Sequence, residues 1–455
     1  MSPIVVGLLG FLTIIAIVVT LFKSKTLPSI AFILFPSILA LILVLGGYYS
    51  IDNIGSLIKS GFSSTGPTAA LFVFSVLYFG IMTDAGMFDV IINKLMGMVG
   101  DSVVGVTVMT AIIAIIGHLD GGGASTFLIV VPSMLPVYQK MHMRPTTLLR
   151  VAVLSMGVMN LMPWAGPTMR AASVLGMEAG NLWSTLIPVQ VFGICLALGH
   201  AVLSGFQEKK RGAGIHGKLA QTEGAVTVDT ASAAAESNEL ARPKLFAFNV
   251  ILTIAVIALL VWDKFPSYVP FMLGVGISIL VNYGDVKMQK KIINRHAGPA
   301  LTMCSTLMGA AVLMGILVKT AKVGDVEIDS VVSCMSTIIS MILPAALGTH
   351  LPLVIGILSV PLALAFDTDS YFYGMLPVMI GIGESYGVAA LPIATAMVVC
   401  RNCATFISPM VPATLLGVGL ADVDIKDHIK NSFLYVWGFS ILCMIFAAIL
   451  GIMPI

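Results

Sequence analysis

The chain has 455 residues, of which 58% are hydrophobic and only 10% are charged. A soluble domain carries about 25% charged residues, so the composition excludes an ordinary soluble fold. It predicts a multi-pass protein of the cell membrane, with the lipid bilayer as its solvent. The net charge of +2 and the lack of a basic stripe with interleaved aromatic residues exclude nucleic acid as a partner.

The first apolar runs are long enough to cross a bilayer. Ile4 to Phe22 has no basic segment before it, so it predicts a first transmembrane helix rather than a cleaved signal. Leu27 to Gly47 crosses back. We expect Ile51 to Gly66 to lie at the membrane surface and Gly66-Pro67 to break the chain before the next span, Thr68 to Met82.

Two polar interruptions follow in this half. The glycine-rich stretch His118 to Thr126 separates the apolar runs Val103 to Ile116 and Phe127 to Leu135. A glycine in a helix costs about 1 kcal/mol, and a carboxylate at membrane depth costs about 2.5 to 3.5 kcal/mol. A second polar break, Asn160 to Arg170, ends the apolar run Val151 to Met162. Interruptions of this cost indicate a function.

A hydrophilic segment divides the chain into two membrane halves. Residues 207–244 are rich in Ala, Ser, Thr and Gly and predict a disordered cytoplasmic linker. It joins an N-terminal membrane repeat, 1–206, to a C-terminal membrane repeat, 245–455. In the second repeat the positive-inside rule assigns the basic segment Gly284 to Ala297 to the cytoplasm, and Gly298-Pro299 is predicted to open the next span.

The second half also carries two polar breaks. One is Asp367 to Tyr371, and the other is Arg401 to Thr414. Asp120 precedes Pro163 at nearly the spacing at which Asp367 precedes Pro409. The surface segment before the third span is basic in the second half and nearly uncharged in the first, as opposite orientations require. We therefore predict an all-α polytopic fold of two inverted-topology repeats, with a transport site where the breaks meet.

The chemistry of these breaks points to an anionic substrate. Freed backbone amides, hydroxyls and side-chain amides bind carboxylates, and arginine pairs with a carboxylate in a bidentate manner. The alternative for the arginines is snorkelling to the membrane surface. The predicted substrate-binding residues are Gly121, Gly122, Gly123, Ser125, Thr126, Asn160, Gly166, Thr168, Arg170, Arg401, Asn402, Thr405, Ser408 and Thr414.

Four residues are candidates for coupling to protons or cations: His118, Asp120, Asp367 and Asp369. The three aspartates also have the oxygen ligands that Mg²⁺ or Ca²⁺ prefers, with the metal co-transported as part of the substrate. Helix capping is the alternative for the aspartates, and a structural hydrogen bond is the alternative for His118. No resident cofactor is expected. Glu384 is predicted to lie either in a loop at the membrane surface or at the tip of a re-entrant hairpin.

At these residues the chain resembles the citrate-metal-proton symporters (CitMHS) of the ion-transporter superfamily. The resemblance spans both halves and rests on these stretches: Leu119-Asp120-Gly121, Met134 to Tyr138, Asn160 to Ala171, Tyr373 to Pro377 and Ser408 to Thr414. It implies proton-coupled uptake of citrate as a divalent metal complex. It also implies re-entrant hairpins, a homodimer, and transport domains that move like elevators against a fixed scaffold.

Other functions stay open at this point. Gly122 and Arg401-Asn402-Cys403 depart from the family's pattern by one lost carboxylate and one gained arginine, which favours a freer anion. The alternative is thus a proton- or sodium-coupled transporter of another di- or tricarboxylate without metal. A channel would not need paired carboxylates and arginines. An intramembrane enzyme is disfavoured because the sequence has no His-Glu-x-x-His or Gly-x-Ser-x-Gly motif.

Overall fold

The computed structural model describes residues 1–23, 25–98, 100–214, 240–262, 264–323 and 326–453. Eight helices in this part of the chain are long and apolar enough to cross a membrane. The helices before the linker are α1 (Pro3–Phe22), α2 (Pro28–Leu45), α3 (Ile51–Asp84), α4 (Met87–Met96), α5 (Val103–Gly117), α6 (Gly123–Lys140), α7 (Pro145–Met159), α8 (Gly166–Leu175) and α9 (Ala179–Arg211).

The second half follows the same order. It contains α10 (Phe246–Trp262), α11 (Tyr268–Asn282), α12 (Val286–Val318), the antiparallel strands β1 (Ala321–Val323) and β2 (Val326–Ile328), α13 (Val331–Ser340), α14 (Ala345–Thr349), α15 (Leu351–Ala363), α16 (Leu376–Ser385), α17 (Ala390–Cys403), α18 (Pro412–Leu420) and α19 (Ile425–Ile449). Short 3₁₀ turns cover His118–Asp120, Pro243–Leu245 and Thr405–Ile407, and a π-helical turn covers Ser370–Met375.

Contacts at the ends of the linker define one side of the molecule. The Gly214 amide donates to the Met141 carbonyl (2.8 Å), and the Arg242 amide donates to the Ala85 carbonyl (2.9 Å). Arg242 Nε also donates to the Asn282 carbonyl (3.0 Å). The ends of α3, α6 and α11 therefore meet on this side, which we call the linker side.

The hairpins enter from opposite sides. Helices α5 and α6 form a hairpin that starts after α4 and returns to Met141, so both of its ends lie on the linker side. Helix α12 starts beside Asn282 and ends at the opposite side, where α13 follows. Tyr386, after α16, donates its hydroxyl to the carbonyls of Ser340 (3.1 Å) and Leu343 (2.7 Å), so the α15–α16 hairpin begins and ends there. The predicted inverted repeats with re-entrant hairpins are confirmed.

The prediction that Gly66-Pro67 and Gly298-Pro299 break the chain is wrong. Pro67 lies inside the 34-residue helix α3, and Pro299 lies inside the 33-residue helix α12. The expected surface segments are simply the first turns of these helices. A proline removes one backbone hydrogen bond, which a membrane helix tolerates when its neighbours hold it in place.

Close backbone contact holds these two helices together. A Cβ added to Gly61 would fall on the Ala311 carbonyl, and one added to Gly315 would lie 2.5 Å from the Leu57 carbonyl oxygen. Small residues at such crossings let membrane helices approach closely. Helices α3 and α12 pack along α2 and α11, and we call these four helices the scaffold.

Both breaks are shorter in the structure than the sequence predicted. Arg401 and Asn402 belong to the last turn of α17, so the second break covers only Ala404 to Val411. In the first half, the break covers Asn160 to Ala165, and α8 begins at Gly166. The predicted linker, 207–244, begins as the end of α9, where Glu208 is fully buried. Its central part, residues 215–239, lies outside the described residues.

Candidate functional site

The two broken helices meet between the halves. Asn160 ends α7, and its carbonyl accepts a hydrogen bond from Thr168 Oγ1 (2.9 Å) across the break. The same carbonyl accepts a second bond from Asn402 Nδ2 (3.1 Å) of the other half. The Asn160 carbonyl has no partner within α7, so two side chains donate to it instead. Non-helical backbone at membrane depth is stable only when its polar groups are hydrogen-bonded within the protein in this way.

His118 connects this junction to the tip of the first hairpin. Its ring nitrogens contact Thr126 Oγ1 (2.6 Å, Nδ1) and Asn160 Oδ1 (3.0 Å, Nε2). The side chain is fully buried, and its ring packs edge-on against Phe406 at 5.3 Å between centroids. Both nitrogens have partners within the protein, so His118 joins the hairpin tip to both halves.

Several buried polar atoms near the breaks have no partner among the described residues. They are Asn160 Nδ2, Asn402 Oδ1, Thr414 Oγ1 and Arg401 Nε. Buried polar groups in native proteins are nearly always hydrogen-bonded. The junction of the two breaks therefore has unused hydrogen-bonding capacity for water, an ion or a substrate.

Asp120 at the first hairpin tip is engaged by its own turn. Its Oδ1 accepts from the Gly122 amide (2.7 Å) and its Oδ2 accepts a short bond from the Ser125 hydroxyl. Gly121 has a φ of +71°, a left-handed conformation that glycine adopts without steric cost. The two bonds hold the turn before α6 to the first residues of that helix.

Trp164 fixes the tip of this hairpin from the first break. Its Nε1 donates to the Leu119 carbonyl at 2.8 Å. The indole also packs against Phe79 of α3 and Phe271 of α11, with ring centroids 5.5 and 5.2 Å apart. The same side chain therefore contacts the hairpin tip and the scaffold.

The second hairpin tip carries two aspartates with different partners. Asp367 accepts from the Ser370 amide (2.9 Å) and from the Ser370 hydroxyl (2.7 Å), so it caps its own helix. Asp369 pairs instead with Arg170 of α8, with 2.6 Å between Nε and Oδ1. The Arg170 and Asp369 side chains are 8% and 16% exposed. An ion pair thus joins the first half to the hairpin tip of the second.

This ion pair lies in a cavity of about 640 Å³. Ligand sites in proteins typically have volumes of about 300 to 1,000 Å³. The turn between α1 and α2 contributes one wall, and the second hairpin tip and the start of α18 contribute another. The lining residues are Leu21, Lys25, Thr26, Leu27, Pro28, Arg170, Asp367, Thr368, Asp369, Met410, Val411 and Pro412.

Arg401 has a different environment from Arg170. It is fully buried and does not line the cavity. Its guanidinium donates to the Phe366 carbonyl (3.2 Å) and to Thr405 Oγ1 (3.3 Å), and it lies 5.7 Å from the centre of the Tyr371 ring. These contacts tie α17 to the second hairpin tip, so Arg401 positions that tip in this conformation.

The predicted site residues fall into three groups, with Gly166 apart from them. Arg170, Asp367 and Asp369 line the cavity. Asp120, Gly121, Gly122, Gly123 and Ser125 form the partly exposed first hairpin tip, and a Cβ on Gly123 would lie 3.0 Å from Ala413 Cβ, next to the cavity. Gly166 is half-buried at the start of α8. The remaining residues are buried between the halves: His118, Thr126, Asn160, Thr168, Arg401, Asn402, Thr405, Ser408 and Thr414.

Sequence reasoning missed the contribution of the α1–α2 turn. Lys25 and Thr26 line the cavity, but nothing in a short turn near the start of the chain indicates which distant break it faces.

Glu384 lines a separate cavity of about 500 Å³ together with Lys319, and it is exposed at the end of α16 rather than at the hairpin tip. Among the described residues, no three His, Cys, Asp or Glu side chains are grouped closely enough to hold a metal ion.

Two hairpins from opposite sides and two broken helices that meet between them define the class of inverted-repeat membrane transporters. A solved structure has the same fold: the YdaH transporter of Alcanivorax borkumensis, with a TM-score of 0.61 over 94% of this chain and 100% of that one, at 12% identity. The model of the CitMHS family, described as "Citrate transporter", matches residues 4–400. The chain belongs to this family and is a transporter rather than an enzyme.

Relatives with high coverage come from Bacillus subtilis (strain 168). A "Citrate transporter" is 34% identical over 98% of this chain and 99% of the relative. A "Mg(2+)/citrate complex secondary transporter" is 34% identical over 93% of each chain. An "Uncharacterized transporter YraO" is 32% identical over 92% of each. The family resemblance inferred from the sequence motifs is confirmed.

Proposed function

We propose that this protein takes up citrate, or a related di- or tricarboxylate, by secondary active transport coupled to protons. The observation that carries the proposal is Arg170, a cation buried between the two halves at the wall of a 640 Å³ cavity. A guanidinium in such a place is the natural partner of a substrate carboxylate. The start of α8 adds its backbone amides, and Lys25 adds a second positive charge to the same cavity.

The orientation follows from the basic residues. The linker side carries Arg242, Lys244, Arg144 and the run Lys209-Lys210-Arg211, and the positive-inside rule assigns such a side to the cytoplasm. The α1–α2 turn, with Lys25, lies on that side, because Tyr48 after α2 contacts Asp329 on the opposite one. The cavity beside this turn therefore lies toward the cytoplasm, which is the side at which an importer releases its substrate.

A co-transported metal is held by the substrate in this proposal. Mg²⁺ or Ca²⁺ prefers several oxygen ligands, and citrate supplies them by itself. Asp120 and Asp367 are bonded within their own turns and Asp369 pairs with Arg170, which supports recognition of the complex through its remaining carboxylate. The name of one relative, a Mg(2+)/citrate complex transporter, agrees with this. Sodium coupling without metal is the alternative.

We infer an elevator-like movement from the division of the molecule. Helices α3 and α12 pack mainly along each other and along α2 and α11, whereas the hairpins and broken helices pack among themselves and against α9, α13 and α19. The second group can move as a unit against the scaffold. A homodimer, inferred from the family resemblance, would hold the scaffold fixed, and light scattering of the purified protein should give twice the mass of one chain.

The test is uptake of labelled citrate, succinate and tricarballylate into proteoliposomes. We expect saturable citrate uptake that needs an inward pH gradient and rises with Mg²⁺ or Ca²⁺. Uptake that follows a sodium gradient and ignores the pH gradient would replace proton coupling by sodium coupling. Uptake of none of these anions under any gradient would overturn the proposed function.

Orientation is tested separately. Single cysteines are introduced at Lys244 and Lys264 in a variant without the native cysteines and treated with a membrane-impermeant thiol reagent in intact cells. We expect the position at Lys264, in the α10–α11 turn, to react and the position at Lys244 to be protected. The reverse pattern would invert the transporter in the membrane.

A further inference from the structure

The Arg170–Asp369 pair lies where the proposed substrate carboxylate has to bind. Arg170 Nε is 2.6 Å from Asp369 Oδ1, and another nitrogen of the guanidinium faces Met303 Sδ at 3.8 Å. No second carboxylate pairs with Arg170 among the described residues. In this conformation the cation that would attract an anion is therefore already occupied by the protein's own carboxylate.

The local backbone adds to the same positive surface. A Cβ on Gly166 would lie 2.5 Å from a terminal nitrogen of Arg170, so the guanidinium lies over the first turn of its own helix. Helix α8 begins at Gly166 and has 10 residues, and its first amides carry partial positive charge. Asp369 thus occupies a position suited to a carboxylate, provided by Arg170 and the start of α8 together.

Asp369 differs from the other two aspartates of the breaks in which groups its carboxylate contacts. Asp120 and Asp367 are bonded through both carboxylate oxygens to their own turns, by Gly122 and Ser125 and by Ser370. Asp369 has its ion pair across the halves instead. It can leave its partner without unwinding its own helix.

We propose that Asp369 is an internal competitor of the substrate: its carboxylate holds Arg170 in the empty transporter and is exchanged for a substrate carboxylate on binding. This inference rests on the proposed function. The displaced carboxylate of Asp369, whose side chain is only 16% exposed, loses its cation, and a mostly buried charge without a partner is strongly unfavourable. It therefore takes up one proton on an oxygen, while Arg170 stays charged and pairs with the substrate. One proton is bound for each anion.

The charged and titratable groups around Asp369 fit this exchange. Besides Arg170 of α8, they are Asp367 and Tyr373 of the same hairpin and Lys25 of the α1–α2 turn, and Arg401 of α17 lies behind them, near Asp367 and Arg170. When Asp369 becomes neutral, Asp367 is the remaining carboxylate among these groups, and the cations Arg170 and Lys25 outnumber it. The site therefore keeps its affinity for an anion.

The test compares Asp369→Asn with Asp367→Asn in the full-length protein in proteoliposomes. We expect Asp369→Asn to retain citrate exchange, with unlabelled citrate inside driving entry of labelled citrate, and to lose accumulation driven by a pH gradient by about tenfold or more. Asp367→Asn weakens a cap, so it should lower the rate at every pH by the same factor and keep the response to the gradient. The inference is wrong if Asp369→Asn accumulates citrate with the pH dependence of the wild type.

A second measurement uses the unaltered protein and does not depend on the folding of a variant. At about pH 8, where the carboxyls of free citrate are ionised, binding of citrate to the detergent-solubilised protein should take up about one proton, measured with a pH indicator in weak buffer. Binding without proton uptake would overturn the exchange and leave the proposed function standing. Absence of citrate transport by the wild type would overturn the proposed function itself.

Discussion

The scaffold helices and the broken helices differ in what the chain does at proline. Pro67 and Pro299 lie inside uninterrupted helices of 34 and 33 residues, whereas the chain around Pro163 and Pro409 leaves the helical path. All four prolines remove one backbone donor. The difference shows that proline alone does not make a break in a membrane helix.

The partners of the freed backbone groups decide the outcome. At the first break, Thr168 and Asn402 bond the Asn160 carbonyl, and Trp164 bonds the Leu119 carbonyl of the facing hairpin. Non-helical backbone at membrane depth requires such partners. Around Pro67, the neighbours are closely packed helices, with Gly61 against Ala311, and the helix continues.

The largest effect is expected from overpacking the scaffold. Gly61→Leu places a side chain onto the Ala311 carbonyl, whereas Gly55→Leu in the same helix enters open space. Overpacking costs about 1 to 3 kcal/mol or more, so Gly61→Leu should abolish the folded, monodisperse protein in detergent chromatography. Equal yields and melting temperatures for the two variants would contradict a close α3–α12 crossing.

Next in size is the loss of transport on removing the cavity cation. Arg170→Gln should reduce citrate uptake by about 100-fold, since a charge-assisted contact contributes about 1.5 to 3 kcal/mol. The melting temperature should change little if Asp369 is also made neutral, in the Arg170→Gln/Asp369→Asn variant. Normal uptake by Arg170→Gln would remove this residue from the substrate site.

Arg401 should behave as the structural counterpart of Arg170. Arg401→Gln removes the bonds to the Phe366 carbonyl and Thr405 from a fully buried position. We expect a loss of about 2 kcal/mol in stability, seen as a lower melting temperature, with citrate affinity reduced much less than in Arg170→Gln. A selective loss of affinity without loss of stability would place Arg401 in the substrate site instead.

A smaller effect is expected at the contact between the breaks. Asn402→Ala removes one of two donors to the Asn160 carbonyl, which should cost about 1 kcal/mol and slow uptake. Asn93→Ala, on the exposed face of α4, is the matched control and should match the wild type in thermal unfolding and uptake. Identical stability of both variants would mean that the halves do not depend on this bond.

The smallest effect is expected at the first hairpin tip. Ser125→Ala removes one donor to Asp120 while the Gly122 amide remains, so the tip turn loses about 0.5 to 1 kcal/mol of stability, as for one hydrogen bond. Ser37→Ala, an exposed hydroxyl bonded to its own helix, serves as control. A complete loss of uptake in Ser125→Ala, with normal melting, would assign this hydroxyl to substrate binding rather than to ordering the tip turn.

The sequence by itself determined the membrane class, the two halves and the position of the polar breaks. These properties are local. A long apolar run favours the bilayer, and a glycine run in a helix or a carboxylate at membrane depth costs free energy, whichever distant segments it meets. The motifs in the breaks also determined the family. The ends of the apolar runs predicted α1, α2 and α5 to within two residues, although not the passage of α3 and α12 through their prolines.

Only the tertiary structure decided the role of each polar residue. Asp120, Asp367 and Asp369 look alike in the sequence, yet two are bonded within their own turns and the third pairs with an arginine 199 positions away. Arg170 lines the cavity while Arg401 is enclosed. Lys25 joins the site through a turn that carries no motif. Such roles depend on which distant segments meet, and no spacing along a single chain specifies that.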